Sequence, residues 1–287
     1  MKNYVLYNPL AGNGRGEKSI NSVEIEKGEA VFLDVTDITD FESFFSGLDR
    51  EDRIILCGGD GTLNHFLNAV KNIDIQNEIF YLGAGSGNDF LNDLNIKPTN
   101  TPLKINDYIT NLPYINTGDK SYCFINGIGC GIDGYCCKEV NRRRRAGKKA
   151  SYTLIALKGL LFAFKPLTAN VTVDGKEYNY ERVWMVPVML GRFFGGGMMI
   201  APTQDRANED GTVSVIVAHN LSKIKIALLF LSVFKGKHLK YKKYVAFHTG
   251  HNIHVKFNKP APLQVDGETI SDISEYTVTA NKNLITK

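Results

Sequence analysis

Three short runs of small residues could bind phosphate groups through the protein backbone. They occupy residues 8–14, 58–62 and 83–89, and each follows a short apolar run and leads into a helical pattern. Glycine lets the main chain approach a ligand closely, and the N–H groups at the start of a helix attract anions. In the second run three glycines surround Asp60, whose carboxylate oxygens are ligands that Mg²⁺ accepts. Together the runs predict a site for a nucleotide and a magnesium ion.

Each run taken alone has a simpler interpretation. The first lacks the glycine spacing of dinucleotide-binding folds and the Lys-Ser/Thr pair of a P-loop, so it could equally be a plain turn between a strand and a helix. A structural turn ending in Asp60-Gly61 would explain part of the second. Because a turn rarely needs three glycines and a capping Thr62, the nucleotide site is favoured.

The elements that must position these runs follow from the spacing of apolar residues. Short apolar runs bounded by turn residues predict strands, and Leu63, Phe66, Leu67 and Val70 share one face of a predicted helix. The predicted strands are 3–7, 30–35, 53–57 and 78–82, and the predicted helix is 62–70. Alternating strands and helices predict a doubly wound parallel sheet, which binds ligands at the carboxyl ends of its strands.

The second half of the chain is rich in β-type segments separated by Gly, Asn, Asp and Pro. These segments are 170–173, 183–189, 212–218, 252–257 and 276–280. They predict a mainly antiparallel β-sandwich, with a helix at 151–164 and a second helical candidate around Ile226. We therefore expect a nucleotide-binding α/β domain over 1–112 and a β-sandwich domain over 113–287, with the C-terminal residues free to return to the first domain.

The bulk composition is that of an ordinary globular protein, with 43% hydrophobic and 22% charged residues. The first apolar stretch is too short for a signal peptide, and the apolar run 226–234 is far short of the roughly 20 residues that cross a bilayer. Five cysteines without metal-site spacing favour packing roles in a reducing compartment. We therefore expect a cytoplasmic protein.

The net charge of +4 conceals two basic segments. Residues 138–149 carry seven Lys or Arg against one Glu, and residues 235–243 carry five Lys. Such concentrated charge favours contact with a polyanionic surface, either a membrane or a nucleic acid. A solvated charged face is the alternative, because charge runs are often no more than that.

In its motifs the chain resembles the diacylglycerol kinase catalytic-domain family, which includes sphingosine kinases and soluble bacterial lipid kinases. The resemblance rests on NPLAG at 8–12, GGDGT at 58–62, GSGNDF at 85–90, FINGIGCGID at 124–133, GGGMMIAP at 195–202 and DGE at 266–268. GGDGT is shared with NAD kinases and phosphofructokinases, whereas the motifs of the second half point to lipid kinases. The resemblance implies a kinase that uses ATP and Mg²⁺, with diacylglycerol as the expected acceptor.

The resemblance also implies roles for individual residues. Those expected to contact ATP are Asn8, Pro9, Leu10, Ala11, Gly12, Thr36, Gly59, Asp60, Gly61, Thr62, Leu63, Asn64, His65 and Ser86. Glu268, with Asp266 beside it, would accept the proton of the lipid hydroxyl, and Asp60 would support the catalytic Mg²⁺. Ser86 stands where the family has threonine, which leaves the ribose contact open.

A further metal position is implied at Asp210. It would take the Asp210 side chain with backbone oxygens of Ala207 and Thr212, while a hairpin turn at Asp210-Gly211 is the alternative. As partner we expect a lipid substrate in an anionic membrane, bound peripherally at its inner face, and no nucleic acid; a homodimer stays open. The residues expected to contact the membrane are Arg142, Arg143, Arg144, Arg145, Lys148 and Lys149.

Two other functions stay open on the sequence alone. A phosphotransferase like NAD kinase, with a soluble acceptor, would keep the same nucleotide site. A non-catalytic, nucleotide-responsive membrane-binding protein would explain the basic segments, but it would not need Asp60, Asp266 and Glu268. The residues Phe193-Phe194 and Met198-Met199 could line an acyl-chain pocket or belong to the sandwich core.

Overall fold

The computed structural model describes residues 1–9, 20, 23–25, 27–147 and 150–280. The chain divides into two units, Met1–Thr110 and Asn111–Lys287. The strands and helices of the first unit are β1 (Lys2–Tyr7), β2 (Glu29–Asp34), α1 (Phe41–Ser46), β3 (Arg53–Gly58), α2 (Asp60–Val70), β4 (Glu78–Gly83), α3 (Asp89–Asp93), β5 (Leu103–Lys104) and α4 (Asn106–Ile109).

A five-stranded sheet in the order β2-β1-β3-β4-β5 forms the centre of the first unit. β1 pairs in parallel with β2 and β3, β3 pairs in parallel with β4, and the short β5 is antiparallel at the edge. β3 is buried along nearly its whole length, as expected for a strand covered on both faces. The strand order reverses between β1 and β3, where such sheets bind ligands. The predicted parallel sheet is confirmed.

The helix α2 packs one apolar face against this sheet. It buries Leu63, Phe66, Leu67 and Val70, the face that the sequence predicts, but it begins two residues earlier than predicted. Its N-cap is Gly59, which has no side chain to make a capping hydrogen bond. The first N–H groups of α2 therefore stay directed beyond the carboxyl end of β3.

The second unit is built on a larger sheet. Its main path is β15-β14-β11-β8-β16-β17-β6-β7, and β9 pairs with β10 and β16. The strands are β6 (Tyr114–Asn116), β7 (Ser121–Cys123), β8 (Gly127–Gly131), β9 (Leu167–Val173), β10 (Lys176–Val183), β11 (Met185–Met189), β12 (Phe193–Phe194), β13 (Met198–Met199), β14 (Val213–Ala218), β15 (Val245–Gly250), β16 (Asn252–Val265) and β17 (Glu268–Thr279). Neighbouring strands pair in antiparallel fashion, as predicted.

The helices of the second unit are α5 (Ile132–Arg145), α6 (Tyr152–Lys158) and α7 (Lys223–Val233). A π-helical turn, Gly159–Ala163, continues α6 and contacts α7. These helices and the sheet bury a shared apolar core that includes Trp184, Ile216 and Leu229. Within the described ranges, no helix is long and apolar enough to cross a membrane.

Candidate active site

The second and third glycine-rich loops lie directly against each other. A Cβ atom on Gly85 would lie 2.6 Å from the Cα atom of Gly59, a distance that real Cβ atoms essentially never reach. The N–H of Ala84 donates to the carbonyl oxygen of Gly58 over 2.8 Å. Close approach of the two backbones therefore requires glycine at residue 85 and favours it at residue 59, where a Cβ atom would lie 3.1 Å from the Cα atom of Gly85. The loops after β3 and β4 form one continuous surface.

The Asp60 carboxylate fastens the third loop to the start of α2. Its Oδ2 accepts the N–H of Asp89 at 3.1 Å, and its Oδ1 accepts the N–H of Phe90 at 3.0 Å. These N–H groups open α3, and the N-cap residue of that helix, Asn88, makes no capping hydrogen bond with its side chain. Asp60 thus supplies the cap for α3, a positioning role that the sequence did not predict.

Asn8 joins the first loop to the same edge of the sheet. Its N–H donates to the carbonyl oxygen of Cys57 at 3.3 Å, and its Nδ2 donates to Oγ1 of Thr62 at 3.2 Å. Pro9 follows in a turn. Asn8 and Thr62, both expected at the nucleotide, are therefore brought together. The expected contacts Leu10, Ala11 and Gly12 lie outside the described residues.

The start of α2 offers backbone donors for an anion. The N–H groups of Gly61 and Thr62 precede the first intrahelical bond, which runs from the Leu63 N–H to the Gly59 carbonyl at 3.0 Å. The N-terminus of a helix carries partial positive charge and attracts phosphate. The geometry is therefore suited to binding phosphate groups at the reversal point of the sheet.

Two residues expected at the nucleotide lie on the packed side of α2. Leu63 is fully buried in the core, and its N–H already bonds to the carbonyl oxygen of Gly59. Asn64 is also buried, and its Oδ1 accepts a hydrogen bond from Asn68 one turn later. Contact of these two residues with ATP stays a prediction.

His65, Ser86 and Thr36 are exposed, and their contact with ATP stays a prediction. Thr36 is held at the end of β2, where its N–H and its Oγ1 both donate to Oδ1 of Asp34, at 2.8 and 2.7 Å. Asp89, which was not among the expected site residues, is 5% exposed, and its N–H donates to the Asp60 carboxylate. Asp89 belongs to the GSGNDF motif at 85–90, in which only Ser86 was expected to contact the nucleotide.

The acidic pair Asp60 and Asp89 suits Mg²⁺ in its chemistry. This ion keeps several waters and usually takes one or two protein carboxylates together with the oxygens of a phosphate. Among the described residues, here as elsewhere, no group of three or more His, Cys, Asp or Glu side chains is arranged to hold a metal ion. Binding of Mg²⁺ at Asp60 and Asp89 stays a prediction.

The second expected metal position fits poorly. The carbonyl oxygen of Thr212 already accepts Nε2 of Gln204 at 2.9 Å and Nδ2 of Asn208 at 3.0 Å, which uses both of its lone pairs. Ala207 and Asp210 are exposed on the same loop. The Thr212 oxygen would have to give up a hydrogen bond to ligate a cation, so its expected role as a metal ligand does not fit this arrangement.

Asp266 is a structural carboxylate. It is 6% exposed and has a φ of 45°, in the left-handed region. Its Oδ2 accepts the N–H of Ile125 at 2.7 Å, and its Oδ1 accepts the N–H groups of Asn126 and Gly127 at 2.9 and 2.8 Å. The three backbone donors occupy both oxygens of this buried carboxylate, so a role as proton acceptor does not fit Asp266.

Glu268 is placed differently. It is exposed at the start of β17, where it pairs with Val265. The tight turn at Asp266 and Gly267 therefore directs the two carboxylates of the DGE motif to different surroundings. Glu268 is the carboxylate of the pair that is open to a substrate.

An apolar cavity lies inside the second unit, between its helices and its sheet. It is lined by side chains that include Leu160, Phe194, Met198, Ile216, Leu229 and Val233. The sequence left open whether Phe194 and Met198 line an acyl pocket or belong to the core. Phe194 and Met198 belong to the core and also line the cavity, so their place in the core is confirmed, whereas an acyl-chain pocket stays a prediction.

His238 lines the cavity and carries a buried hydrogen-bond acceptor. Its Nε2 lies 2.8 Å from the carbonyl oxygen of Ile200 and must donate, because a carbonyl only accepts. Its Nδ1 is then an acceptor, and no described residue partners it. Burial lowers the pKa of His238, which favours this neutral form. The accessible wall of the cavity is apolar.

Asp133 is a buried carboxyl group beside the cavity. The Tyr152 hydroxyl donates to its Oδ1, and Nε2 of Gln264 donates to its Oδ2 at 2.9 Å. Burial raises the pKa of Asp133 to about 6, against the opposing effect of these two hydrogen bonds. Both carboxylate oxygens therefore have hydrogen-bond partners within the core.

Two family profiles match the chain. The profile of the diacylglycerol kinase catalytic domain matches residues 2–112, and the YegS C-terminal NAD kinase beta sandwich-like domain matches residues 126–282. The chain belongs to the diacylglycerol kinase catalytic-domain family. This membership confirms the expected lipid kinase of the diacylglycerol kinase type, and the second match confirms the predicted β-sandwich.

Relatives in this family are similar along most of their length. The diacylglycerol kinase of Mycobacterium tuberculosis (strain ATCC 25618 / H37Rv) is 27% identical over 251 residues, covering 82% of this chain and 79% of the relative. The diacylglycerol kinase of Bacillus subtilis (strain 168) is 24% identical over 277 residues, covering 92% and 88%. The crystal structure of a diacylglycerol kinase from Bacillus anthracis str. Sterne shares the fold, with a TM-score of 0.63 at 17% identity, covering 98% and 94%.

Acidic side chains of the same chain neutralise part of the charge of the basic segment 138–149. Arg142 and Arg143 both pair with Glu139 through N···O distances of 2.8 Å, and Lys138 pairs with Asp272 at 3.0 Å. Lys148 and Lys149 lie outside the described residues, as do the side chains of Arg144 and Arg145. Membrane contact by this segment stays a prediction.

Asp133 is expected to make stability depend on pH. Because its pKa in the folded protein lies above its ordinary 3.8, the folded state binds the proton more tightly, and stability falls as pH rises from about 4 to 6. A pKa of about 6 corresponds to a penalty of about 3 kcal/mol at neutral pH. Urea unfolding followed by the fluorescence of Trp184, the one tryptophan, reports on the second unit.

The Asp133→Asn variant isolates this effect, because an amide of the same shape does not titrate. We expect the variant to gain stability over the wild type as pH rises from 4.5 to 7.5. A difference between the two proteins that stays constant across this range would show that Asp133 does not titrate there.

Proposed function

We propose that this protein transfers the γ-phosphate of ATP to a lipid hydroxyl, with diacylglycerol as acceptor and phosphatidic acid as product. The apolar cavity of the second unit carries the proposal. Glycine-rich loops and a helix N-terminus bind phosphate in kinases of soluble acceptors as well, so they leave the acceptor open. An apolar cavity of this kind suits the apolar part of a lipid acceptor and not a soluble, polar acceptor.

The residues of each unit have distinct tasks in this reaction. In the first unit, the N–H groups at the start of α2 bind phosphate oxygens, while Asp60 holds the neighbouring loop in place. When bound at Asp60 and Asp89, Mg²⁺ would neutralise part of the charge on the phosphates. In the second unit, Glu268 takes the proton of the lipid hydroxyl. The hydroxyl oxygen forms the new bond to the γ-phosphorus, and the bond from that phosphorus to ADP breaks.

The acceptor itself is supplied by a membrane. Diacylglycerol resides in bilayers, and the excess of basic residues on the second unit favours an anionic surface. We therefore include peripheral binding to an anionic membrane in the proposed function. The expected partner is a lipid surface and not a nucleic acid.

Filling the cavity should impair the use of long-chain lipids. Ala156 lines the cavity, so Ala156→Leu places three more carbons in the space of an acyl chain. Since each buried methylene contributes about 0.8 kcal/mol, we expect kcat/KM for dioleoylglycerol to fall by roughly tenfold or more. The KM for ATP should stay unchanged. Phosphate transfer in mixed micelles measures both.

Ala163→Leu is the matched control, because this substitution adds the same three carbons at an exposed position of the π-helical turn. An equal loss in both variants, or no loss in Ala156→Leu, would mean that the cavity does not receive the acyl chain.

A further inference from the structure

The helix α7 is apolar on both faces. Its inner face buries Ile226, Leu229 and Val233. Its outer face presents Ile224, Leu228 and Leu231, which are 71%, 65% and 62% exposed. A surface helix of a globular protein normally carries polar residues on its outer face. The outer residues are spaced by four and three positions, so they form one continuous apolar stripe.

The neighbouring π-helical turn extends this apolar surface. Phe162 in that turn is 81% exposed. The turn contacts α7, and Nζ of Lys223 at the start of α7 donates to the carbonyl oxygen of Leu161 at 2.8 Å. We call Phe162, Ile224, Leu228 and Leu231 together the α7 surface. Contiguous exposed apolar side chains of this kind mark interaction sites.

The charge around the α7 surface indicates which kind of partner binds there. Residues 150–166 and 219–244, which carry the helices, contain nine lysines and no Asp or Glu. All nine lysines are exposed. A second copy of the same face would bring like charges together, whereas anionic lipid headgroups would complement them. Exposed apolar side chains with lysines around them suit an anionic membrane interface, because the apolar groups can leave water there while the lysines meet lipid phosphates.

We infer that the α7 surface inserts into the headgroup region of an anionic bilayer. The inference rests on the proposed function, in which the cavity receives the lipid acceptor. The buried sides of the same elements, including Leu160, Ile226 and Leu229, line that cavity. Docking through the outer side therefore places the bilayer against the wall of the cavity. A lipid acceptor then has a short apolar path from the membrane into the protein.

The α7 surface is distinct from the basic segment on α5. There the arginines Arg142 and Arg143 are paired with Glu139, and the pairing reduces the charge left for lipid headgroups. The membrane contact is accordingly assigned to α7 and its lysines. Substitutions on α5 should change vesicle binding less than substitutions on α7.

Insertion can be measured with a polarity-sensitive dye on Leu228→Cys. All five native cysteines are buried, so the new thiol is the accessible one. We expect the fluorescence of an attached NBD group to shift to the blue and to rise when vesicles of equal phosphatidylglycerol and phosphatidylcholine are added. Spin-labelled lipid should quench it. The matched control is Phe32→Cys, at a 46% exposed position on β2 in the first unit.

No blue shift at Leu228→Cys, or an equal shift at Phe32→Cys, would overturn the inference. A blue shift that grows with protein concentration in the absence of vesicles would also overturn it, because a second copy would then cover the surface.

Affinity provides an independent test. The triple variant Ile224→Ser, Leu228→Ser and Leu231→Ser removes the apolar stripe from exposed positions and should keep the fold, which circular dichroism checks. We expect its affinity for anionic vesicles, measured by sedimentation without ATP, to fall by at least about tenfold. Phe32→Ser should leave the affinity unchanged. An unchanged affinity in the triple variant would contradict the inference.

These binding measurements need no phosphate transfer, so the two proposals fail separately. If the α7 surface inserts but no lipid is phosphorylated, the proposed function is wrong. If lipid is phosphorylated in detergent micelles while α7 stays outside the bilayer, the docking surface is wrong.

Discussion

Replacing Glu268 with Gln is expected to lower kcat for lipid phosphorylation by roughly 10²–10⁴-fold, the contribution of a positioned general base. Glutamine keeps the shape of the side chain but cannot accept a proton from the lipid hydroxyl. Because Glu268 is exposed, the substitution should leave stability unchanged. The KM for ATP should also stay close to that of the wild type, since the nucleotide loops belong to the other unit.

Steady-state kinetics with labelled ATP and dioleoylglycerol micelles measures this effect. Glu177→Gln, at an exposed position on β10, is the control and should be as active as the wild type. If Glu268→Gln kept a kcat within a few-fold of the wild-type value, another group would have to be the base.

The second large effect concerns stability. Asp266→Asn replaces one carboxylate oxygen by an NH₂ group that faces a backbone donor, and it removes the negative charge that three N–H groups share. Hydrogen bonds to charged groups contribute about 1.5–3 kcal/mol each, so we expect the free energy of unfolding of the second unit to fall by about 3 kcal/mol or more. Urea titration followed by Trp184 fluorescence measures the loss.

Asp174→Asn is a closely matched control. Asp174 also has a positive φ, of 47°, and its carboxylate also accepts backbone N–H groups, from His251 and Asn252. It differs in being exposed, so water can replace the lost hydrogen bonds and the cost should stay below about 1 kcal/mol. Equal losses of unfolding free energy in the two variants would mean that burial does not determine how much Asp266 contributes to stability.

Local sequence patterns were sufficient to predict the nucleotide loops. The glycines of residues 58–62 and 83–89 stand after strands whose apolar runs are short and clear, so the strand order alone places them at one edge. The buried position of Leu63 could also have been read from its place on the apolar face of α2.

Contacts between distant parts of the chain were not predictable in this way. Asp266 and Glu268 are two residues apart, yet their surroundings differ because residues 125–127, about 140 positions earlier, close around one of them. β10 was missed because its sequence is polar, and few of its side chains are buried. Similarly, β17 begins eight residues before the predicted strand. The added residues are mostly polar, so the spacing of apolar residues does not reveal them.

The central claim is that a lipid hydroxyl receives the phosphate. The most direct measurement incubates the purified protein with γ-labelled ATP, Mg²⁺ and mixed micelles, and offers dioleoylglycerol, a sphingoid base, phosphatidylglycerol or NAD in turn. We predict labelled phosphatidic acid from dioleoylglycerol, and its loss in Glu268→Gln. Label in the product of NAD alone, or in none of the lipids, would contradict the claim.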